Sequence, residues 1–102
     1  MAKLLKIKRG EIRTIIITIH GIDISSATFL LEIRHTKTSP IWVTKTDGDF
    51  NKDNIGNGII EMTINSEDTT RAVVGIYKAE FSMTMENGDI IKENNLLISV
   101  RD

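Results

Sequence analysis

Residues 75–100 read GIYKAEFSMTMENGDIIKENNLLISV, and here a strand pairing can be worked out residue by residue. Successive side chains of a strand point to opposite sides, so Tyr77, Ala79, Phe81, Met83 and Met85 share one face. Asn87-Gly88 reads as a two-residue type I′ hairpin turn, whose two central positions both need φ > 0. A last strand then runs from Asp89 or Ile90 to Val100. With that turn Glu86 pairs with Asp89, which sets Tyr77 opposite Ile98 and Ala79 opposite Leu96, a sound inner face. Nearer the tip Phe81 meets Asn94 and Met83 meets Lys92, which is not. A β-bulge near Asn94-Asn95 shifts half of the strand and repairs the mismatch, so an irregular stretch is expected between Lys92 and Asn95.

The same alternation recurs upstream. Over residues 12–19, Ile15, Ile17 and Ile19 fall on one face and Thr14, Ile16 and Thr18 on the other. Over residues 28–35, Phe29, Leu31 and Ile33 point inward against Thr28, Glu32 and Arg34, while Leu30 implies that the second face is partly covered. Residues 4–8 make an edge strand, with Lys3, Lys6, Lys8 and Arg9 discouraging sheet-to-sheet pairing. Pro40 opens a strand over residues 41–46 that carries Trp42, and residues 59–64 form another with Ile60, Met62 and Ile64 on one face. Between them lies the longest polar loop, DGDFNKDNIGNG at 47–58. Ser66-Glu67-Asp68-Thr69 reads as a helix N-cap with an acidic first turn, giving one helical turn to about Arg71. About seven short strands in 102 residues describe one all-β domain over residues 1–102, an antiparallel β-sandwich of two sheets. The 18 Ile and 11 Thr fit a pleated surface better than a helix. An oligonucleotide-binding barrel wants a longer helix and aromatics on an exposed strand face, whereas Phe29, Tyr77 and Phe81 sit on inward faces. Tyr77, placed after Gly75 and the helical turn, suits a corner tyrosine whose hydroxyl bonds to backbone a few residues upstream.

Composition excludes several functions. Lys and Arg number 13 against 14 Asp and Glu, a net charge of -1, which argues against a general nucleic-acid binder. Zero Cys removes disulfides, thiolate zinc sites and cysteine nucleophiles. No apolar run is long enough for a signal peptide or a membrane span, so a soluble protein made in the cytoplasm and without a membrane partner is expected. His20 and His35 both stand at strand ends, no G-x-S-x-G elbow occurs, and solvated strand-end histidines account for them better than a catalytic pair. Asp47, Asp49 and Asn51 match positions 1, 3 and 5 of an EF-hand loop, with Asp53 following. Lys52 then stands where the sharp-turn Gly belongs and Gly58 where the bidentate Glu belongs, so turn geometry explains the loop better than calcium. No catalytic residue, cofactor or metal site is expected. For contacts with partners the candidates are Lys6 and Lys8 on the first edge strand, Trp42 on the 41–46 strand and the loop at 47–58. An added strand at an edge gains main-chain hydrogen bonds without a large apolar patch. The hairpin's outer face, read as Lys78, Glu80, Ser82, Thr84, Glu93 and Asn95, is expected to stay solvated.

Several short segments follow one another in a definite order. They are Arg9-Gly10-Glu11-Ile12-Arg13-Thr14, Ile22-Asp23-Ile24-Ser25-Ser26-Ala27-Thr28-Phe29, Ser66-Glu67-Asp68-Thr69, Gly75-Ile76-Tyr77-Lys78-Ala79-Glu80-Phe81 and Asn87-Gly88-Asp89. In that order the chain resembles the immunoglobulin-like N-terminal domain of bacteriophage baseplate upper proteins and related tail proteins. The loop at 47–58 is longer and more polar than that family's usual connection. The resemblance implies an immunoglobulin-like sandwich in a non-enzymatic virion structural or assembly role. Its partners would be other phage structural proteins or further copies of itself, met in the host cytoplasm during assembly and then in the virion. A small carbohydrate- or cell-surface-binding module, working through Trp42 and the 47–58 loop, is the alternative.

Overall fold

A computed structural model describes residues 3–36 and 38–102. Among these residues eight strands form: β1 (Lys3–Lys8), β2 (Arg13–Thr18), β3 (Thr28–Arg34), β4 (Val43–Lys45), β5 (Phe50–Asn51), β6 (Ile59–Ile64), β7 (Gly75–Thr84) and β8 (Ile90–Arg101). One short helix, α1 (Ser66–Arg71), links β6 to β7. The strands make a five-stranded sheet in the order β1-β8-β7-β3-β4 and a three-stranded sheet in the order β2-β6-β5. With β2, β6 and β5 in one sheet and β1, β8, β7, β3 and β4 in the other, this is an all-β sandwich of two sheets. Ladders are antiparallel except where β1 lies parallel to β8, pairing Lys3 with Leu96 through Lys8 with Arg101. That exception departs from an all-antiparallel expectation. The chain passes from β1 through residues 9–12 into the other sheet, so β1 has no hairpin partner and docks on the strand made last.

The hairpin of β7 and β8 has the expected lower half, with Tyr77 opposite Ile98 and Ala79 opposite Leu96. Its tip differs. The Gly88 amide donates to the Met85 carbonyl at 2.9 Å and the Met85 amide to the Asp89 carbonyl at 2.7 Å, leaving a three-residue loop, Glu86-Asn87-Gly88. Only Gly88 takes a positive φ, 94°, while the Asn87 side-chain oxygen accepts from the Asp89 amide. A type I turn closed by a left-handed glycine therefore replaces the type I′ turn. The extra loop residue sets Met83 opposite Ile91 and Phe81 opposite Glu93. Asn94 and Asn95 together then face Glu80, a bulge that returns the strand to the Tyr77–Ile98 register. Glu93 consequently lies on the inner side of β8, not on the hairpin's outer face as the simple alternation suggested.

Three further elements depart from the sequence reading. The 47–58 loop contains β5 between two 3₁₀ turns, Asp47–Asp49 and Ile55–Asn57. Its Phe50 is buried against Phe29 and Phe81, with ring centroids 5.6 and 6.2 Å away. The helix is capped by Asn65, one residue earlier than expected: its side chain accepts from the Asp68 amide while Asp68 accepts from the Asn65 amide. The 41–46 strand shortens to β4, preceded by a bond from the Trp42 amide to the Ile33 carbonyl. The core lies between the sheets, with Ile7, Ile33, Ile60, Ile64 and Ile98 fully enclosed.

Candidate functional site

The turn at residues 9–12, the β3–β4 connection and the β6–β7 connection with α1 meet at one end of the sandwich, which we term the corner end. The segments Arg9-Gly10-Glu11, Ser66-Glu67-Asp68-Thr69 and Gly75-Ile76-Tyr77 converge there. Thr69, fully buried, takes the Gly10 amide on its hydroxyl at 3.0 Å and donates to the Glu11 carbonyl at 2.8 Å. Arg9 donates to the Thr70 carbonyl at the end of α1, where orphan carbonyls need partners. The Tyr77 hydroxyl donates to the Val73 carbonyl and accepts from the Val73 amide, the tyrosine corner read from the sequence. Asp68 is bridged by Arg71 at 2.8 Å and Lys45 at 3.4 Å. Burial pushes the Asp68 carboxyl up, but the Arg71 bond, the Lys45 charge and the Asn65 amide together hold it below the usual carboxylate range.

The residues singled out by sequence are dispersed. His20 lies in the β2–β3 connection and His35 just beyond β3, so roughly seven strand residues, about 23 Å, separate the levels they occupy. His35 is half-buried rather than solvated, its ring stacked on Tyr77 at 3.9 Å and its Nδ1 2.8 Å from the Ile76 carbonyl oxygen. Trp42 is not a surface anchor. It is buried, 4.5 Å from the Tyr77 ring, and its indole donates to the Asp68 carbonyl at 2.8 Å. Asp47 accepts from the Phe29 amide and pairs with Lys52 at 2.7 Å, Asp49 caps Thr46, and Asn51 accepts from the Asp53 amide. These side chains serve the loop's own geometry, and Lys52 also lies 5.4 Å over the Phe29 ring. Among the described residues no three His, Asp or Glu gather in a way that could hold a metal ion. Lys6 and Lys8 are exposed on edge strand β1, where the Lys6 carbonyl accepts from Arg13.

Two concave surfaces stand out. Along one side, between β2 and the β1–β8 side of the larger sheet, a cleft of about 380 Å³ is lined by Leu5, Ile15, Ile17, Phe81 and Leu96, with Glu93. The other side is crossed by residues 46–50 with Phe50 as a plug. The larger cleft, about 580 Å³, lies opposite the corner end, between the β2–β3 connection and the β7–β8 loop. Ile22, Met85 and Ile91 give it apolar surface, and Asp23, Glu86 and Asp89 give it carboxylates. The Ser25 amide and hydroxyl both donate to Asp23, holding its carboxyl below the ordinary range. Sequence reasoning passed over this group because its members lie on two loops some sixty residues apart. The only signal was apolar Ile22 and Ile91 beside turn residues. Comparison with known protein families and with curated proteins finds no match to the chain.

Proposed function

We propose that the chain is a non-enzymatic structural or assembly module of a phage or prophage virion part, such as a tail or baseplate, acting through protein–protein contacts. The observation that carries this reading is the corner end. Two of the five segments behind the phage-domain resemblance touch there, through Gly10 and Glu11 to Thr69, while Tyr77 of a third bonds the Val73 backbone just before it. These contacts support the reading in that the quoted segments serve the sandwich's own framework, which leaves edges and loops as the surfaces for contacts with partners. The loop-end cleft favours a second reading, a carbohydrate- or cell-surface-binding module. Capture from a lysate after prophage induction, with bound proteins identified by mass spectrometry, separates the two. Tail or baseplate proteins retained by the chain are the expected result. Retention of none, with binding on a glycan array run with and without calcium, overturns it.

A further inference from the structure

We propose that the side cleft takes an extended segment of a partner protein, added as a strand to the free edge of β2, with apolar residues at alternate positions and a Lys or Arg among them. This deepens the reading above and rests on its claim that the chain works through protein contacts. β2 is an outer strand of the three-stranded sheet, paired with β6 on one side alone. The Ile19 amide donates to the Gly58 carbonyl in continuation of that ladder. Backbone groups alternate in direction along a strand, so those of Arg13, Ile15 and Ile17 also face β6. Those of Thr14, Ile16 and Thr18 face away, and among the described residues nothing bonds these three amides and three carbonyls.

The cleft runs along that edge. Its β2 wall is four consecutive residues, Thr14 to Ile17, so it is the edge of the strand and not one of its faces. Its floor is the inner side of the larger sheet, with Leu5 of β1, Leu96 of β8, and Ala79 and Phe81 of β7. Three strands lie over five, and the opening of about 380 Å³ sits where a further strand of the smaller sheet belongs. Near the corner end the bond from Arg13 to the Lys6 carbonyl closes the gap. Beyond it, residues 14–18 offer about 17 Å of edge. A segment that pairs there satisfies all six backbone groups, whereas a small apolar molecule would cut them off from water without partners. That decides for a peptide. Its side chains on the Ile15 and Ile17 side meet the apolar floor, and those on the Thr14, Ile16 and Thr18 side meet water. Glu93 is the one charged side chain among the described residues that line the cleft. It already interacts within the chain, yet a carboxylate has about four acceptor positions and keeps room for a cation. An inward Lys or Arg is therefore favoured there and an inward Asp or Glu repelled.

Selection of random dodecapeptides, displayed on yeast, against the wild-type chain tests this. Recovered peptides are expected to alternate apolar and polar residues and to carry Lys or Arg in phase with the apolar ones. Ile16→Pro removes an edge amide yet spares every β2–β6 bond, because the Ile16 N–H faces away from β6. It is expected to weaken binding of the recovered peptides by about tenfold or more. Glu93→Gln keeps the side chain's shape, and selection against it is expected to lose the preference for Lys and Arg. Unchanged urea midpoints would show that each variant folds. Hydrogen exchange of the wild type needs no variant: bound peptide is expected to slow the Thr14, Ile16 and Thr18 amides. Recovery of no peptide, peptides with helical spacing, or binding that leaves those three amides exchanging as before overturns the added strand. A wild type that dimerises, with the dimer lost in Ile16→Pro, gives the edge to a second copy and overturns it too. Virion proteins retained equally by wild type and Ile16→Pro overturn the cleft as their seat and leave the virion role standing. Alternating peptides recovered while a lysate yields no virion protein overturn the virion role and leave the added strand standing.

Discussion

The Tyr77 hydroxyl donates to the Val73 carbonyl at 2.8 Å and accepts from the Val73 amide at 3.0 Å, while its ring carries His35 on stacking contact and Trp42 at a tilt. Tyr77→Phe keeps the ring and removes both bonds, leaving a backbone donor and acceptor without their partner. The expected cost is about 1–2 kcal/mol, read as a lower urea midpoint at unchanged slope. Burial raises the Tyr77 pKa and the Val73 bond lowers it, with a net rise. Its contribution is therefore complete below the unfolded value near ~10 and is lost as pH climbs through the folded one. Asp68 has the opposite sign. Its folded pKa is depressed, so its contribution is present above the unfolded value near ~3.9 and fades as pH falls through the folded value. Asp68→Asn removes the charge that Lys45 and Arg71 share and is expected to cost about 1–3 kcal/mol at neutral pH. Urea midpoints of the two proteins, measured down a pH series, should begin to converge as pH falls through ~4 and meet only once it has passed the lower folded value.

Among the elements, β8 shows most plainly how local chemistry sets long-range register. The bulge lets two residues stand opposite Glu80, so deletion of Asn95 removes the irregularity and leaves Leu96, Ile98 and Val100 facing inward. Deletion of Leu97 instead turns Ile98 and Val100 outward, because one residue of slip reverses every face beyond it. Thermal unfolding should show a cooperative transition for the first deletion, lowered by a few degrees, and none for the second. Periodic elements were legible in the sequence: β2, β3, β6 and β7 alternate, and the clash of Phe81 and Met83 with polar partners exposed the bulge. Elements without a period were not. Phe50–Asn51 is too short to alternate, so β5 hides inside a polar loop. Asn65 and Ser66 are both good caps, and the side chain that reaches the Asp68 amide is decided by backbone direction. The hairpin tip misled because Asn87-Gly88 suits two turn types that differ by one residue of loop.

For the whole molecule, what the sequence left hidden was proximity. The corner end gathers Arg9 from the 9–12 turn, Thr69 from α1 and Tyr77 from the start of β7, and the loop-end cleft gathers Ile22 with Ile91, neither of which periodicity can foresee. Trp42 could be read as either core or surface from its neighbours alone; only the position of α1, whose Asp68 carbonyl takes the indole proton, buries it. The parallel seat of β1 on β8 lay equally out of reach, since it joins Lys3 to Leu96 across nearly the full chain. It also carries a consequence in time. During synthesis at ~5–20 residues per second, β1 emerges first and waits roughly 5–20 s for the strand it lies against. Until then Ile7, fully enclosed in the finished core, and the apolar face of β2 have no roof over them. The β1–β8 ladder can therefore form only after the β2–β6 and β3–β7 ladders have all their strands, and any factor that holds β1 during that interval acts on a contact of very long sequence separation.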